Sequence, residues 1–169
     1  RVRYTIKHTI ETDIDTFWNK VFFEPEFNRR LFTEHLGFTS YQVLEDRTDP
    51  NGVRHRRVEC VPKVELPAPA RKVFGDNLGF IEVGRYDPAV KRYYVQVLPK
   101  TGGDKIKTTT EIWLEPTGEK RCERVVTVDN SVKIFGIGTL IEGFIEQQTR
   151  DSYAKGAEYT NRFIREQGL

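Results

Sequence analysis

The chain has 169 residues, a length typical of one domain with a buried core, and no repeat or linker interrupts it, so we expect a single domain over residues 1–169. Its 27 Lys and Arg nearly balance its 25 Asp and Glu, which leaves a formal charge of +2. The concentrated positive field of most nucleic-acid-binding proteins is therefore absent, and we predict no nucleic-acid partner.

The chain begins with a predicted strand at residues 3–11, where apolar and polar side chains alternate with a period of two. Two short helices follow. Thr12 or Asp13 is suited to cap the first helix, and Pro25 is suited to the first turn of the second. Gly37 is predicted to end the second helix in a left-handed conformation.

A series of β-hairpins is predicted after the helices, because runs rich in Val, Tyr, Thr and Ile are separated by turn signals such as DPNG and TGGD. Connections this short favour antiparallel neighbours. A proline-containing loop with one helical turn, residues 66–76, interrupts the series. The six predicted strands are 38–47, 53–63, 78–86, 91–98, 105–115 and 121–132.

The chain ends with a predicted amphipathic helix at residues 137–166, one face of which is apolar and the other charged. The order of strand, two helices, six strands and long helix favours an α+β fold, in which a curved antiparallel sheet of about seven strands wraps around this helix.

This order of elements (β-α-α-β6-α), together with the glycine-containing lead-in IFGIGTLIEGFIE before the last helix, resembles the START/SRPBCC superfamily, which has the helix-grip fold of the birch pollen allergen. Within it, the stretch GIGTLIEGFIEQQTRDSYAKGAEYTNRFI is most similar to an uncharacterised bacterial family. The superfamily has no universal catalytic motif. The resemblance implies a cavity between sheet and last helix that holds a lipid, sterol, polyketide or other apolar ligand.

The glycines before the last helix do not indicate nucleotide binding, because a dinucleotide motif would need glycine in place of Ile141. Gly136 and Gly138 are instead expected to let the chain turn between strand and helix, where positive φ is needed.

The middle of the last helix is polar on its inward side, at Gln148 and Ser152, and has a glycine at Gly156. A packed core would have Leu or Ile there, and buried polar groups need partners. These residues are therefore expected beside a cavity; in the alternative, Gln148 and Ser152 bond to the sheet and Gly156 permits close packing. The predicted helical wall of the cavity is Ile141, Phe144, Ile145, Gln148, Ser152, Gly156 and Tyr159.

The predicted strand 53–63 carries charge on both faces, so its pattern leaves its orientation open. If His55, Arg57 and Glu59 face inward, they could orient a ligand or act as acid and base. If they face outward, they discourage edge-to-edge aggregation. His55 and Arg57 join the candidate ligand-binding residues, with Phe80 and Tyr94 from the predicted sheet.

No cofactor is predicted, and no metal site, because no set of ligands with suitable spacing occurs. Cys60 and Cys122 are far apart and outside any CxxC spacing, so free thiols and a cytoplasmic location are expected. The longest uncharged stretch near the C-terminus, residues 134–141, is far shorter than the about 20 residues of a membrane-spanning helix. Arg71 and Lys72 in the loop could support a transient contact with a membrane surface.

The leading hypothesis is a non-catalytic protein that binds or transfers a small hydrophobic ligand, with Gln148, Ser152, Tyr159 and His55 or Arg57 setting its orientation. A rival is a cyclase- or hydrolase-like enzyme that uses His55 and Glu59 in the same cavity. A third is a protein-interaction module with a filled core and an exposed apolar patch. The sequence leaves the oligomeric state open, as well as whether a segment preceded Arg1.

Overall fold

A computed structural model describes residues 1–169 and contains one antiparallel sheet of seven strands in the order β1-β7-β6-β5-β4-β3-β2. The predicted hairpin series is confirmed, because every neighbouring pair from β2 to β7 is consecutive in the chain. β1 closes the other side by pairing with β7. The strands are β1 (Val2–Ile10), β2 (Ser40–Thr48), β3 (Arg54–Val61), β4 (Phe80–Asp87), β5 (Arg92–Pro99), β6 (Ile106–Gly118) and β7 (Arg121–Val132).

Four α-helices accompany the sheet: α1 (Ile14–Thr16), α2 (Pro25–Arg30), α3 (Ala68–Phe74) and α4 (Gly138–Gln167). α1 continues into a π-helical segment, Phe17–Phe22, and α2 into another, Leu31–His35. We call residues 14–35 the helical pair. No helix in the structure combines the length and apolar character needed to cross a membrane.

The sequence signals at the helix ends are confirmed. The Asp13 side chain accepts a hydrogen bond from the backbone N–H of Thr16, Pro25 is the first residue of α2, and Gly37 has a φ of 69°. The helical turn predicted within residues 66–76 is α3. Together with the sheet and the long α4, these elements form the expected α+β helix-grip fold.

The main core lies between the helical pair, the C-terminal half of α4 and the concave face of the sheet. Trp18 and Phe17 from the first π-helical segment are fully buried in it, with Phe163 and Ile164 from α4. Each such side chain contributes about 1.5–3 kcal/mol of hydrophobic free energy when buried. A smaller core of Ala70, Phe74, Val132 and Ile141 lies under α3.

The N-terminal end of α4 is fixed to the end of β7. The buried Glu142 carboxylate accepts a hydrogen bond of 2.9 Å from the backbone N–H of Val132. Gly136 has a φ of 81°, as expected for the turn. The expected positive φ at Gly138 is wrong: this glycine is helical, and it is required because a Cβ atom would collide with the Val132 carbonyl oxygen.

We expect Gly156→Ala to raise the free energy of unfolding by about 0.5–1 kcal/mol, since alanine is the better helix former. The new Cβ would lie 3.8 Å from Leu31 Cδ1, an ordinary van der Waals distance. Urea denaturation measures the change. The matched control is Gly138→Ala in the same helix, which should lower the free energy of unfolding, and equal effects of both variants would contradict the packing described here.

Candidate functional site

The concave face of the sheet is set by β3, where Arg56, Val58 and Cys60 are buried. Alternation along the strand places His55, Arg57 and Glu59 on the opposite, convex face. There the His55 Nε2 atom lies 2.7 Å from Asp49 Oδ2, and Lys100 Nζ lies 2.9 Å from Glu59 Oε2.

The expectation that His55 and Arg57 line the cavity is therefore wrong. Both faces of this strand carry charge, so the sequence pattern could not select the inward one. Tyr94 is also on the convex face, where the Arg85 guanidinium lies 4.4 Å from its ring centroid. Phe80, in contrast, is directly opposite the buried Cys60 in the β3–β4 ladder and shares its concave face.

A carboxyl group occupies the concave face at Glu82, opposite Val58 in the β3–β4 ladder. Its side chain forms no hydrogen bond or ion pair with another protein group. Burial raises the pKa of this carboxyl above its ordinary value, and the nearby positive charge of Arg56 only partly offsets the effect. Glu82 is thus a candidate group for contacting a polar part of a ligand.

Arg56 lies beside Glu82 in a cage of aromatic rings. Its Nε donates a hydrogen bond of 3.3 Å to the Tyr93 hydroxyl, and its guanidinium carbon lies 5.5 Å and 5.1 Å from the ring centroids of Phe22 and Phe23. The negative faces of these rings stabilise the cation in place of a carboxylate. The Tyr93 ring lies against Gly84, where any side chain would collide with it.

A second buried guanidinium, Arg124, projects from β7 toward α4 and is only 6% exposed. Its Nη2 donates to the Tyr153 carbonyl oxygen at 2.9 Å and lies 3.3 Å from His8 Nδ1, while its Nε has no partner. Burial lowers the pKa of Arg124 to about 10, so it remains positively charged at neutral pH. Burial and the positive charge of Arg124 lower the pKa of His8 below its ordinary value. The His8 imidazole is therefore neutral at pH 7.

The structure places the residues of the predicted helical wall in three different environments, two of which are packed against other parts of the protein. Ile141 is buried in the small core under α3, and Ile145 packs against it. Gly156 faces Leu31 of the helical pair, and Tyr159 is fully buried.

Gly156 and Tyr159 were expected to line the cavity, and that expectation is wrong, because the helical pair covers this end of α4. The Tyr159 ring stacks on Phe27 and on His35, with centroids 5.4 Å and 4.0 Å apart. Gly156 lies against Leu31 of the helical pair, where an alanine side chain would also fit.

Three wall residues in the first half of α4, Phe144, Gln148 and Ser152, are half-buried. Neither polar side chain hydrogen-bonds to the sheet, contrary to the alternative weighed for them. They are therefore the wall residues that stay free to face a ligand.

Sequence reasoning did not select Glu82, Arg124 or Tyr153. Arg124 could have been selected from the sequence, because it is a single charged residue among apolar residues that share its face of β7, namely Cys122, Val126 and Val128. Glu82 became distinguishable only once the register of the β3–β4 ladder was known. No group of three or more His, Cys, Asp or Glu side chains is arranged to hold a metal ion.

An apolar surface patch lies beside α3, at the far end of the fold from the helical pair. Phe135 is 103% exposed, and Val73 and Leu140 are also largely exposed. A surface depression of about 430 Å³ is lined by Ala68, Pro69, Lys72, Val73, Ile134, Phe135 and Ile137.

We expect Glu82→Gln to stabilise the protein relative to the parent increasingly as the pH rises above about 4.5, the ordinary glutamate pKa. With its pKa raised in the folded state, Glu82 ionises first in the unfolded chain, so the parent loses stability over that range. Urea denaturation at pH 4.5 and pH 8 measures the gap. Glu59→Gln on the convex face is the control, and a pH-independent gap for Glu82→Gln would refute the assignment.

Residues 5–164 match the family described as "Protein of unknown function (DUF2505)". No curated protein matches the chain.

Solved structures with the same fold include a norcoclaurine synthase from Thalictrum flavum, with a TM-score of 0.68 and 18% identity over 99% of this chain and 98% of that one. The Zhui aromatase/cyclase from Streptomyces sp. R1128 has a TM-score of 0.64 and 14% identity over 96% and 95%. A START superfamily protein from Mycobacterium smegmatis has a TM-score of 0.57 and 12% identity over 97% of each chain.

Identities this low show a shared fold alone. The match over residues 5–164 assigns the family itself. The chain therefore belongs to the DUF2505 family and has the helix-grip fold of these solved structures.

Proposed function

We propose that this chain, as a single domain, binds a small hydrophobic molecule between the concave face of the sheet and the middle of α4. The observation that carries the proposal is Glu82, a carboxyl group on the concave face that has no protein partner. Glu82 is half-buried, and a partly desolvated carboxyl without a protein partner costs free energy, so its retention favours a role in contacting a ligand.

The packing of α4 supports this location. The helix rests mainly on β1, β7 and the second π-helical segment, and much less on β3, β4 and β5. Three inward side chains of β4 and β5, Phe80, Tyr86 and Val97, are accordingly only half-buried. Ser152 on α4 is half-buried as well.

The proposed site combines apolar walls with a few polar groups, as small-molecule sites commonly do. Contact with the apolar walls would supply affinity at about 25 cal/mol per Å² of surface buried. Glu82 and Tyr93 on the sheet, and Gln148 and Ser152 on the helix, would orient a hydroxyl or carbonyl group of the ligand.

An enzyme is the second candidate, and Glu82 is also the observation that favours it. A carboxyl with a raised pKa near a tyrosine hydroxyl is suited to proton transfer. The acid and base considered from the sequence, His55 and Glu59, are on the convex face and cannot serve this site. Buried Arg56 and Arg124 weigh against an interaction module with a filled apolar core.

The patch of Phe135, Val73 and Leu140 is our candidate for the transient membrane contact. The side chains of Lys72 and Lys133 adjoin the two surface depressions at this end of the fold. Apolar side chains flanked by lysines suit the interface of an anionic bilayer, where each charge contributes about 1 kcal/mol. Such a contact would let a hydrophobic ligand exchange without crossing water.

Native mass spectrometry of protein purified from its host should detect a co-purified small molecule, and Ser152→Phe should reduce the occupied fraction by at least about tenfold. The new ring would fill the proposed space and leave the fold intact. The control is Asp151→Phe, an exposed neighbour on the same helix.

If the space were already filled, Ser152→Phe would instead destabilise the protein by about 1–3 kcal/mol through overpacking. That outcome in urea denaturation, with no bound molecule in the parent, would exclude the proposed function.

Flotation with vesicles containing phosphatidylserine should recover part of the parent protein, and Phe135→Ser should abolish that recovery. The reason is that Phe135 is the most exposed apolar side chain of the patch. Val90→Ser, an exposed apolar residue in the β4–β5 turn, serves as the control. Equal recovery of both variants would place the contact elsewhere or nowhere.

A further inference from the structure

We propose that the ligand of this site is a hydrophobic anion, and that its carboxylate or phosphate group pairs with Arg124. This inference rests on the proposed function and names the chemical class of the ligand. It depends on which charges are buried under α4 and on which of them are balanced by the protein.

Arg124 is a buried cation that the protein does not neutralise. It forms no ion pair with a carboxylate, and its partners are the Tyr153 carbonyl oxygen and His8 Nδ1. Because the His8 imidazole is neutral, it does not repel the guanidinium and can accept a hydrogen bond from it. A charge removed from water is strongly destabilising unless it is paired and hydrogen-bonded, so an anionic partner would relieve this cost.

The hydrogen-bonding capacity of Arg124 is only partly used. Nη2 makes both contacts, Nη1 makes none, and Nε is buried without a partner. Arginine presents its donors in a planar fork that matches carboxylate and phosphate oxygens.

Arg56 is the weaker candidate for this role, because its charge is already compensated. It has the rings of Phe22, Phe23 and Tyr93 around it and the negative potential of Glu82 nearby. Arg124 has only the Tyr153 ring, at 5.0 Å, and no carboxyl among the groups that influence it.

The total charge of the interior also favours an anionic ligand. Two guanidinium groups, Arg56 and Arg124, face one carboxyl, Glu82, and the third fully buried charged residue, Glu142, is bound to Val132 at the other end of α4. The interior is therefore positive whether or not Glu82 is ionised. A neutral hydrophobe would leave this excess uncompensated, whereas a monoanion would balance it when Glu82 is ionised and halve it when Glu82 is neutral.

The test is calorimetric titration of the parent with dodecanoate, dodecyl phosphate and dodecan-1-ol, each below the concentration at which it aggregates. The three share one chain and differ in their polar end. We expect both anions, or one of them, to bind at least about 30-fold more tightly than the alcohol, the size of effect found when one partner of a buried charge pair is missing. The tighter anion identifies the headgroup.

Arg124→Met should weaken the anions by at least about 30-fold and leave the alcohol unchanged. It should also unfold at the same or a higher urea concentration than the ligand-free parent, since it removes a buried, unneutralised charge. A merely structural arginine would give the opposite stability result. The control is Arg85→Met, which removes an equal charge from the convex face and should change neither property.

Equal affinity of the parent for the alcohol and both anions, or unchanged anion affinity in Arg124→Met, would overturn this inference while leaving the proposed function intact. Failure of all three compounds to bind, with no co-purified molecule, would overturn both. If Arg124→Met does not fold, Arg124→Lys replaces it. That variant keeps the charge but loses the fork, and its anion affinity should fall by less than in the methionine variant.

Discussion

Two anchors fix the ends of α4, and the rest of the structure depends on them. At the C-terminal end, Tyr159 stacks between the rings of Phe27 and His35. At the N-terminal end, Glu142 is hydrogen-bonded to the last residue of β7. Between these anchors, α4 packs mainly on β1 and β7 and much less on β3, β4 and β5.

The interior between these anchors is poorly optimised for stability, and this is informative. Glu82, Arg56 and Arg124 each bear a cost of desolvation that an apolar side chain of similar volume would avoid. The aromatic core around Trp18 and Phe163 offsets that cost elsewhere. Proteins commonly accept such local losses at functional sites, where the groups must be ready for a partner and so cannot be satisfied internally.

The fold could be predicted from the sequence because its signals are local: strands with a period of two, turn residues between them, and helix caps such as Asp13 and Pro25. The orientation of β3 could not, since a strand with charge on both faces has no preferred side until its neighbours are known. Tyr159 was misplaced for a related reason: helical spacing shows which face is buried, but not whether the helical pair or a ligand covers it. Gln148 and Ser152, the polar interruptions on that face, form no hydrogen bond to the sheet, and their place beside a cavity stays a prediction.

The interior has a charged group at each of two separate places, and selectivity between ligands could arise from these two groups. Glu82 is on β4 and Arg124 on β7, with β5 and β6 between them, and the Tyr153 ring of α4 lies 5.0 Å from the Arg124 guanidinium. Apolar contact alone discriminates weakly between ligands of similar size, whereas a site with buried polar groups rejects a ligand that leaves them unpaired. On the proposed function, a ligand would therefore be selected less by its volume than by whether its polar atoms reach the groups that the protein has left without partners.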